Sequence, residues 1–153
     1  MTPDEAGTAP GPPRFGLLVV THGGLAFELV AALERIVGAL GRVKAISIDW
    51  DTNLAVAREA VLGAIGAIDP GGGVLILTDM FGGTATNLAL SFLSDRVEIL
   101  TGVNLPMLIK AANVRATLSL REAVPRIVEQ GQRAIASATD YLDPGKGGPP
   151  SPA

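Results

Sequence analysis

The sequence contains no cysteine and a single histidine, and its only aromatic residues are four phenylalanines, one tyrosine and one tryptophan. Without cysteine, disulfides and thiolate chemistry are excluded, and one histidine leaves too few nitrogen or sulfur ligands for a zinc or non-haem iron site. We therefore expect neither a metal nor a cofactor. The sequence also has no strong excess of one charge. Its 12 basic and 15 acidic residues give a formal net charge of −3, and neither sign forms a long run. This balance argues against a nucleic-acid partner.

Long hydrophobic runs are missing as well. No apolar stretch approaches the roughly 20 residues that cross a bilayer, and the N-terminus lacks the basic-then-apolar pattern of a secretory signal. We expect a cytoplasmic protein with no direct membrane insertion. Proline is almost absent from the middle of the chain, where only Pro70, Pro106 and Pro125 of the 11 prolines occur. The composition thus predicts disordered tails at residues 1–13 and 144–153 and one domain at residues 14–143.

Short apolar runs alternate with segments of helical periodicity. The runs are typical of strands buried in a parallel sheet and cover residues 15–21, 43–48, 74–78 and 96–100. Apolar residues spaced by three and four predict helices at residues 24–40, 52–68, 84–93, 107–113 and from 119 onwards. Asp51 or Thr52 is expected to cap the second helix, and Ser119 and Glu122 have the spacing of a capping box.

This alternation predicts an α/β fold of three layers, in which helices cover both faces of a mostly parallel sheet of four strands. We expect the strand order 2-1-3-4, as in flavodoxin-like folds. The segment 132–142 fits two structures, either a continuation of the last helix or an antiparallel fifth edge strand.

Two titratable residues follow the first and third predicted strands, His22 and Asp79. In the order 2-1-3-4 these strand ends are adjacent at the switch point, where ligands bind in such sheets. A hydrogen bond from one ring nitrogen of His22 to the Asp79 carboxylate would fix the tautomer and leave the other nitrogen as a nucleophile. Simpler interpretations are a structural histidine and an aspartate that caps a helix.

The residues beside this pair extend the predicted site. A phosphoryl group on the imidazole would be an anion, which the free N–H groups of a first helical turn favour. Backbone and hydroxyl donors for it are available at Gly23, Gly24, Gly82, Gly83, Thr84 and Thr86. Met80 and Phe81 form either an apolar docking rim for partner proteins or packing beneath the loop. The usual nucleotide-binding glycine motifs and the G-x-S-x-G motif do not occur.

Three segments of the sequence resemble one protein family. They are VVTHGG at 19–24, LTDMFGGTATN at 77–87 and TGVNLPML at 101–108. Together they resemble the enzyme IIA component of the mannose family of the phosphoenolpyruvate-dependent sugar phosphotransferase system, and the resemblance covers residues 15–142. Ala85 departs from the pattern, because family members often have proline there.

The resemblance implies a phosphotransferase that acts as a cytoplasmic phosphocarrier. His22 would accept a phosphoryl group from the histidine-containing phosphocarrier protein and pass it to a IIB domain, expected on a separate chain, with Asp79 as its partner. It also implies a homodimer that exchanges an antiparallel edge strand, which would suit residues 132–142. Two alternatives stay open: a stand-alone regulatory phosphoprotein, and a phosphoryl donor to a dihydroxyacetone kinase.

Overall fold

Strands and helices alternate along the chain from Gly16 to Val114, and two further helices follow. The structure, a computed structural model, describes residues 11–142 and residue 145, so most of the two predicted tails lies outside the described residues. The elements are β1 (Gly16–His22), α1 (Leu25–Val37), β2 (Val43–Ile48), α2 (Leu54–Ile68), β3 (Val74–Thr78), α3 (Thr84–Leu90), β4 (Val97–Thr101), α4 (Leu105–Val114), α5 (Leu120–Arg133) and α6 (Ala138–Leu142).

The strands form one parallel sheet in the order β2-β1-β3-β4, which confirms the predicted topology. β1 and β3 occupy the centre, and their side chains are buried almost throughout, as expected for strands covered on both faces. Their register pairs Val20 with Thr78. The chain therefore leaves both central strands at the same edge of the sheet, and the residues that follow are neighbours.

Side chains of β1 alternate between two hydrophobic cores. Leu17 and Val19 pack on one face with residues of α1, α4 and α5, whereas Leu18 and Val20 pack on the other with residues of α2 and α3. A strand that is apolar on both faces needs a helical layer on each side to remove it from water. The predicted three-layer architecture is confirmed.

The cap of α2 differs from the prediction. Asn53, not Asp51 or Thr52, is the N-cap, and its side-chain oxygen accepts hydrogen bonds from the backbone N–H groups of the first turn. Thr52 is unavailable as a cap because its hydroxyl accepts the Asp49 N–H at 2.8 Å within the preceding turn. The predicted capping box of Ser119 and Glu122 is confirmed at the start of α5.

The segment 132–142 contains the end of one helix and a separate short helix, so neither the continued helix nor the edge strand is observed. α5 continues to Arg133, and after four residues the short helix α6 follows. Within residues 11–142, the sheet contains no fifth strand. Among the same described residues, every helix is too short or too polar to cross a bilayer.

Candidate active site

The carboxyl ends of β1 and β3 bring His22 and Asp79 together, as the sequence predicts. The Nδ1 atom of the His22 ring lies 2.9 Å from Oδ2 of Asp79. The same carboxylate oxygen accepts the backbone N–H of His22 at 3.0 Å, and Oδ1 accepts the backbone N–H of Met80 at 3.0 Å. The two side chains are only 18% and 15% exposed. The carboxylate is thus held on both of its oxygens and in turn holds the imidazole.

These hydrogen bonds determine the charge of Asp79. Burial alone raises the pKa of the Asp79 carboxyl, but the hydrogen bonds from the His22 ring and from the His22 and Met80 backbones outweigh burial and hold that pKa below its ordinary value of 3.8. An ionised carboxylate only accepts hydrogen bonds, so Nδ1 of a neutral His22 ring has to bear the proton. The lone pair of the neutral ring is therefore on Nε2.

Gly83 lies directly against the Cε1–Nε2 edge of the imidazole. A Cβ atom at this position would come within 2.5 Å of Cε1 and 3.1 Å of Nε2 of His22. The backbone of Gly83 has φ −83° and ψ 172°, a conformation open to any residue. Glycine is therefore required here for space rather than for backbone freedom, and it allows the loop after β3 to approach the Nε2 edge.

The other predicted donors occupy different places around the ring. Gly24 is the N-cap of α1, at the carboxyl edge of the sheet beside His22. Gly23, in the loop after β1, and Gly82, in the loop after β3, have φ values of 53° and 85°. Positive φ values of this size favour glycine. Thr84 is exposed in the first turn of α3.

Thr86 has a different environment from the other predicted donors. Its side chain is buried, its hydroxyl lies 2.9 Å from the Thr78 hydroxyl, and it donates a hydrogen bond to the Met80 carbonyl oxygen. The Thr86 hydroxyl thus joins α3 to the end of β3 and to the loop after it. In this arrangement it supports the loop from beneath.

Exposed apolar side chains lie in the loops that contain the polar pair or adjoin it. Met80 and Phe81 are 56% and 72% exposed, so they do not pack beneath the loop. Trp50, which the sequence analysis did not single out, stacks on the His22 ring with centroids 5.5 Å apart and planes inclined by 29°. The sequence signal that could have identified Trp50 is its position in the loop after β2, at the same edge of the sheet as His22.

Comparison with known proteins identifies the family. A family model described as "PTS system fructose IIA component" (EIIA-man) matches residues 16–128. The chain belongs to this family of enzyme IIA components. The resemblance predicted from the three sequence segments is confirmed, and the chain is a phosphotransferase-type component of the sugar phosphotransferase system.

Relatives of this IIA component match most of the chain. It is 26% identical to the fructose-specific EIIA component of Bacillus subtilis over 129 residues, which are 83% of this chain and 88% of that protein. It is 30% identical to the mannose-specific EIIAB component of Escherichia coli K12 over 122 residues, 78% of this chain and 38% of that longer protein. The crystal structure of a IIA protein associated with the fucose utilization operon of Streptococcus pneumoniae matches with a TM-score of 0.77 and 26% identity, covering 87% of this chain and 99% of that one.

Proposed function

We propose that this IIA component is a cytoplasmic phosphocarrier and that Nε2 of His22 accepts the phosphoryl group from the histidine-containing phosphocarrier protein. The observation on which the proposal rests is the hydrogen bond between Nδ1 of His22 and the carboxylate of Asp79. Because that bond occupies one nitrogen of the chain's only histidine, it leaves the other nitrogen as the nucleophile.

The transfer is an in-line displacement at phosphorus. The lone pair of Nε2 forms a new N–P bond while the P–N bond to the donor protein's imidazole breaks, and that ring leaves with the electron pair. His22 keeps its proton on Nδ1 and becomes positively charged. The Asp79 carboxylate, 2.9 Å away, stabilises this charge as it develops, which lowers the barrier more than it stabilises the neutral ground state.

The loops beside Nε2 are suited to hold the phosphoryl oxygens. We assign the backbone N–H groups around Gly83, Gly23 and Gly24 as the donors, because Gly83 lies against the Nε2 edge and Gly24 begins α1. Gly82 and Thr84 flank Gly83, and we assign them as further hydrogen-bond donors to the phosphoryl oxygens. The buried Thr86 contributes by fixing the loop through its bond to the Met80 carbonyl.

We further propose that the phosphoryl group passes from His22 to a IIB domain that docks on Met80 and Phe81. Both side chains are exposed at the edge where the imidazole lies, which supports a role in contact with partner proteins. We also propose a homodimer, in agreement with the family resemblance. Within the described residues β4 is an edge strand, so a strand of a second subunit has a place to pair.

Phosphorylation in a reconstituted relay tests the function. The protein is incubated with phosphoenolpyruvate, enzyme I and the histidine-containing phosphocarrier protein, and its intact mass is measured before and after addition of a IIB domain. We expect one acid-labile phosphoryl group on the wild type, its loss to the IIB domain, and no mass gain in His22→Ala. A phosphorylated His22→Ala protein would refute the proposal.

A further inference from the structure

Trp50 is an exposed aromatic residue that the fold itself does not require. It is the only tryptophan of the chain, and 90% of its surface is exposed. A large apolar side chain in that position adds nothing to either hydrophobic core. Among the described residues, its one ring contact is the stacking on His22. The contact with the imidazole therefore accounts for the placement of the indole better than core packing does.

The loop that contains Trp50 is fixed by hydrogen bonds on both sides of it. The Asp49 N–H donates to the Thr52 hydroxyl at 2.8 Å, and the Thr52 N–H donates to the Asp49 carbonyl at 3.0 Å. These two bonds close a turn with Trp50 at its tip. None of them involves the indole, so replacement of the Trp50 side chain leaves the turn intact.

A further bond joins this loop to the segment after β1. The Ser47 hydroxyl, at the end of β2, donates to the carbonyl oxygen of Gly23, and it also lies 3.4 Å from a carboxylate oxygen of Asp49. Gly23 directly follows His22. The loop that bears the indole is thus tied to the residue next to the imidazole, which holds the two loops side by side.

The contacts of the imidazole come from three residues on two loops, the loop after β2 and the loop after β3. Asp79 binds Nδ1, the backbone of Gly83 lies along the Cε1 and Nε2 edge, and Trp50 lies over one ring face. The bond to Asp79 holds one ring nitrogen of His22. An aromatic neighbour over a ring face limits tilting of the ring and, with its negative π face, attracts a positively charged imidazolium.

We propose that Trp50 is a positioning residue, which stacks on the His22 imidazole and stabilises the positive charge that the ring bears when it is phosphorylated on Nε2. The inference rests on the phosphocarrier function proposed above. It adds that the phosphorylated protein has a tighter contact between the indole and the imidazole than the free protein has. When the phosphoryl group is lost, the electron pair of the P–N bond returns to the ring and the ring loses its positive charge. A contact that stabilises the charged ring therefore slows this loss, and the phosphohistidine persists longer than it does without the indole.

The lifetime of the phosphohistidine tests this role in three Trp50 variants of the 153-residue chain. A cation–π contact at an exposed site corresponds to about a two- to fivefold change. We expect Trp50→Ala to shorten the lifetime by about that factor, Trp50→Phe to restore most of it, and Trp50→Leu to resemble Trp50→Ala. Leu62→Ala is the matched control. It removes an exposed apolar side chain from α2, and we expect it to keep the wild-type lifetime.

Fluorescence gives a second readout that a merely structural role would not alter. Because Trp50 is the only tryptophan, its emission reports the indole alone, and we expect that emission to change when the wild type is phosphorylated. A phosphorylated wild type with unchanged emission, or a Trp50→Leu protein with the wild-type lifetime, overturns the proposal and leaves the phosphocarrier function standing. A wild type that takes up no phosphoryl group overturns the phosphocarrier function instead, and this inference with it.

Discussion

Asp79 binds His22 at two points, because a single carboxylate oxygen accepts both the ring Nδ1–H at 2.9 Å and the backbone N–H at 3.0 Å. The two residues are 57 positions apart in the sequence and meet because β1 and β3 are neighbours in the sheet. A bond to the backbone fixes the carboxylate relative to the strand, and the bond to the ring then fixes the imidazole relative to the carboxylate. The direction of Nε2 is thus set by the sheet itself.

Replacement of Asp79 tests the electrostatic part of this arrangement. Asp79→Asn has the same shape but no charge, so we expect it to fold and to accept phosphoryl groups about 10²-fold more slowly. The rate is measured by rapid mixing with the phosphorylated phosphocarrier protein. Asp69→Asn is the matched control, because this carboxylate lies in the loop before β3, at the other edge of the sheet, and should leave the rate unchanged. If Asp79→Asn accepted phosphoryl groups as fast as the wild type, Asp79 would have a structural role in the loop and no role in transfer.

Gly83→Ala tests the space beside Nε2. The added Cβ would lie 2.5 Å from Cε1 of His22, so the ring or the loop has to move, and we expect phosphoryl transfer to slow by at least about tenfold. The backbone conformation at this position accepts alanine, so any loss in the free energy of unfolding comes from the displaced ring or loop and not from backbone strain. Gly41→Ala, where a Cβ meets nothing within 4 Å, is the control. Equal transfer rates for the two variants would show that the loop does not lie against the ring in solution.

Asp69 is expected to matter for stability rather than for transfer. Its carboxylate accepts the N–H groups of Gly71 and Gly73 at 2.8 and 2.9 Å and contacts the Arg96 guanidinium at 2.6 Å, which holds the turn before β3. Asp69→Ala should lower the free energy of unfolding by about 1–3 kcal/mol, mainly through the two backbone donors, because Arg96 is exposed. Chemical denaturation measures the change. A variant with wild-type stability would contradict this account of the turn.

The acid sensitivity of the fold follows from the same two carboxylates. Hydrogen bonds, against the opposing effect of burial, hold the pKa values of Asp69 and Asp79 below 3.8 in the folded protein. Their contribution to stability is therefore complete above pH 3.8 and is lost as the pH falls from there through the folded pKa values. We expect Asp79→Asn to lose less stability than the wild type over this acid range, as measured by denaturation at a series of pH values. Parallel stability curves for the two proteins would contradict the prediction.

The strands and their order could be predicted because burial on both faces leaves continuous apolar runs in the sequence. Once the order was predicted, the pairing of His22 with Asp79 followed, since each residue ends a central strand. The cap of α2 could not be predicted in the same way. Asp51, Thr52 and Asn53 are all good capping residues, and the choice depends on the turn in which Thr52 binds the Asp49 N–H.

Two features of the site also depend on contacts that the sequence does not display. From the sequence, the Thr86 hydroxyl could donate a hydrogen bond to a phosphoryl group. In the folded protein it is instead hydrogen-bonded to Thr78 and to the Met80 carbonyl oxygen. The stacking of Trp50 on His22 arises from the shape of a loop on a neighbouring strand. Local patterns identify which residues reach the edge of the sheet, whereas tertiary hydrogen bonds decide which of them face the imidazole.

The most direct test of the central claim is the NMR spectrum of the phosphorylated protein with a nitrogen isotope label in its histidine ring. Because the chain has one histidine, the spectrum contains a single pair of ring nitrogens, and coupling to phosphorus identifies the one that is phosphorylated. We predict coupling at Nε2, with the proton retained on Nδ1 beside Asp79. Phosphorus on Nδ1, or a phosphorylated protein whose histidine nitrogens show no coupling, would contradict the account.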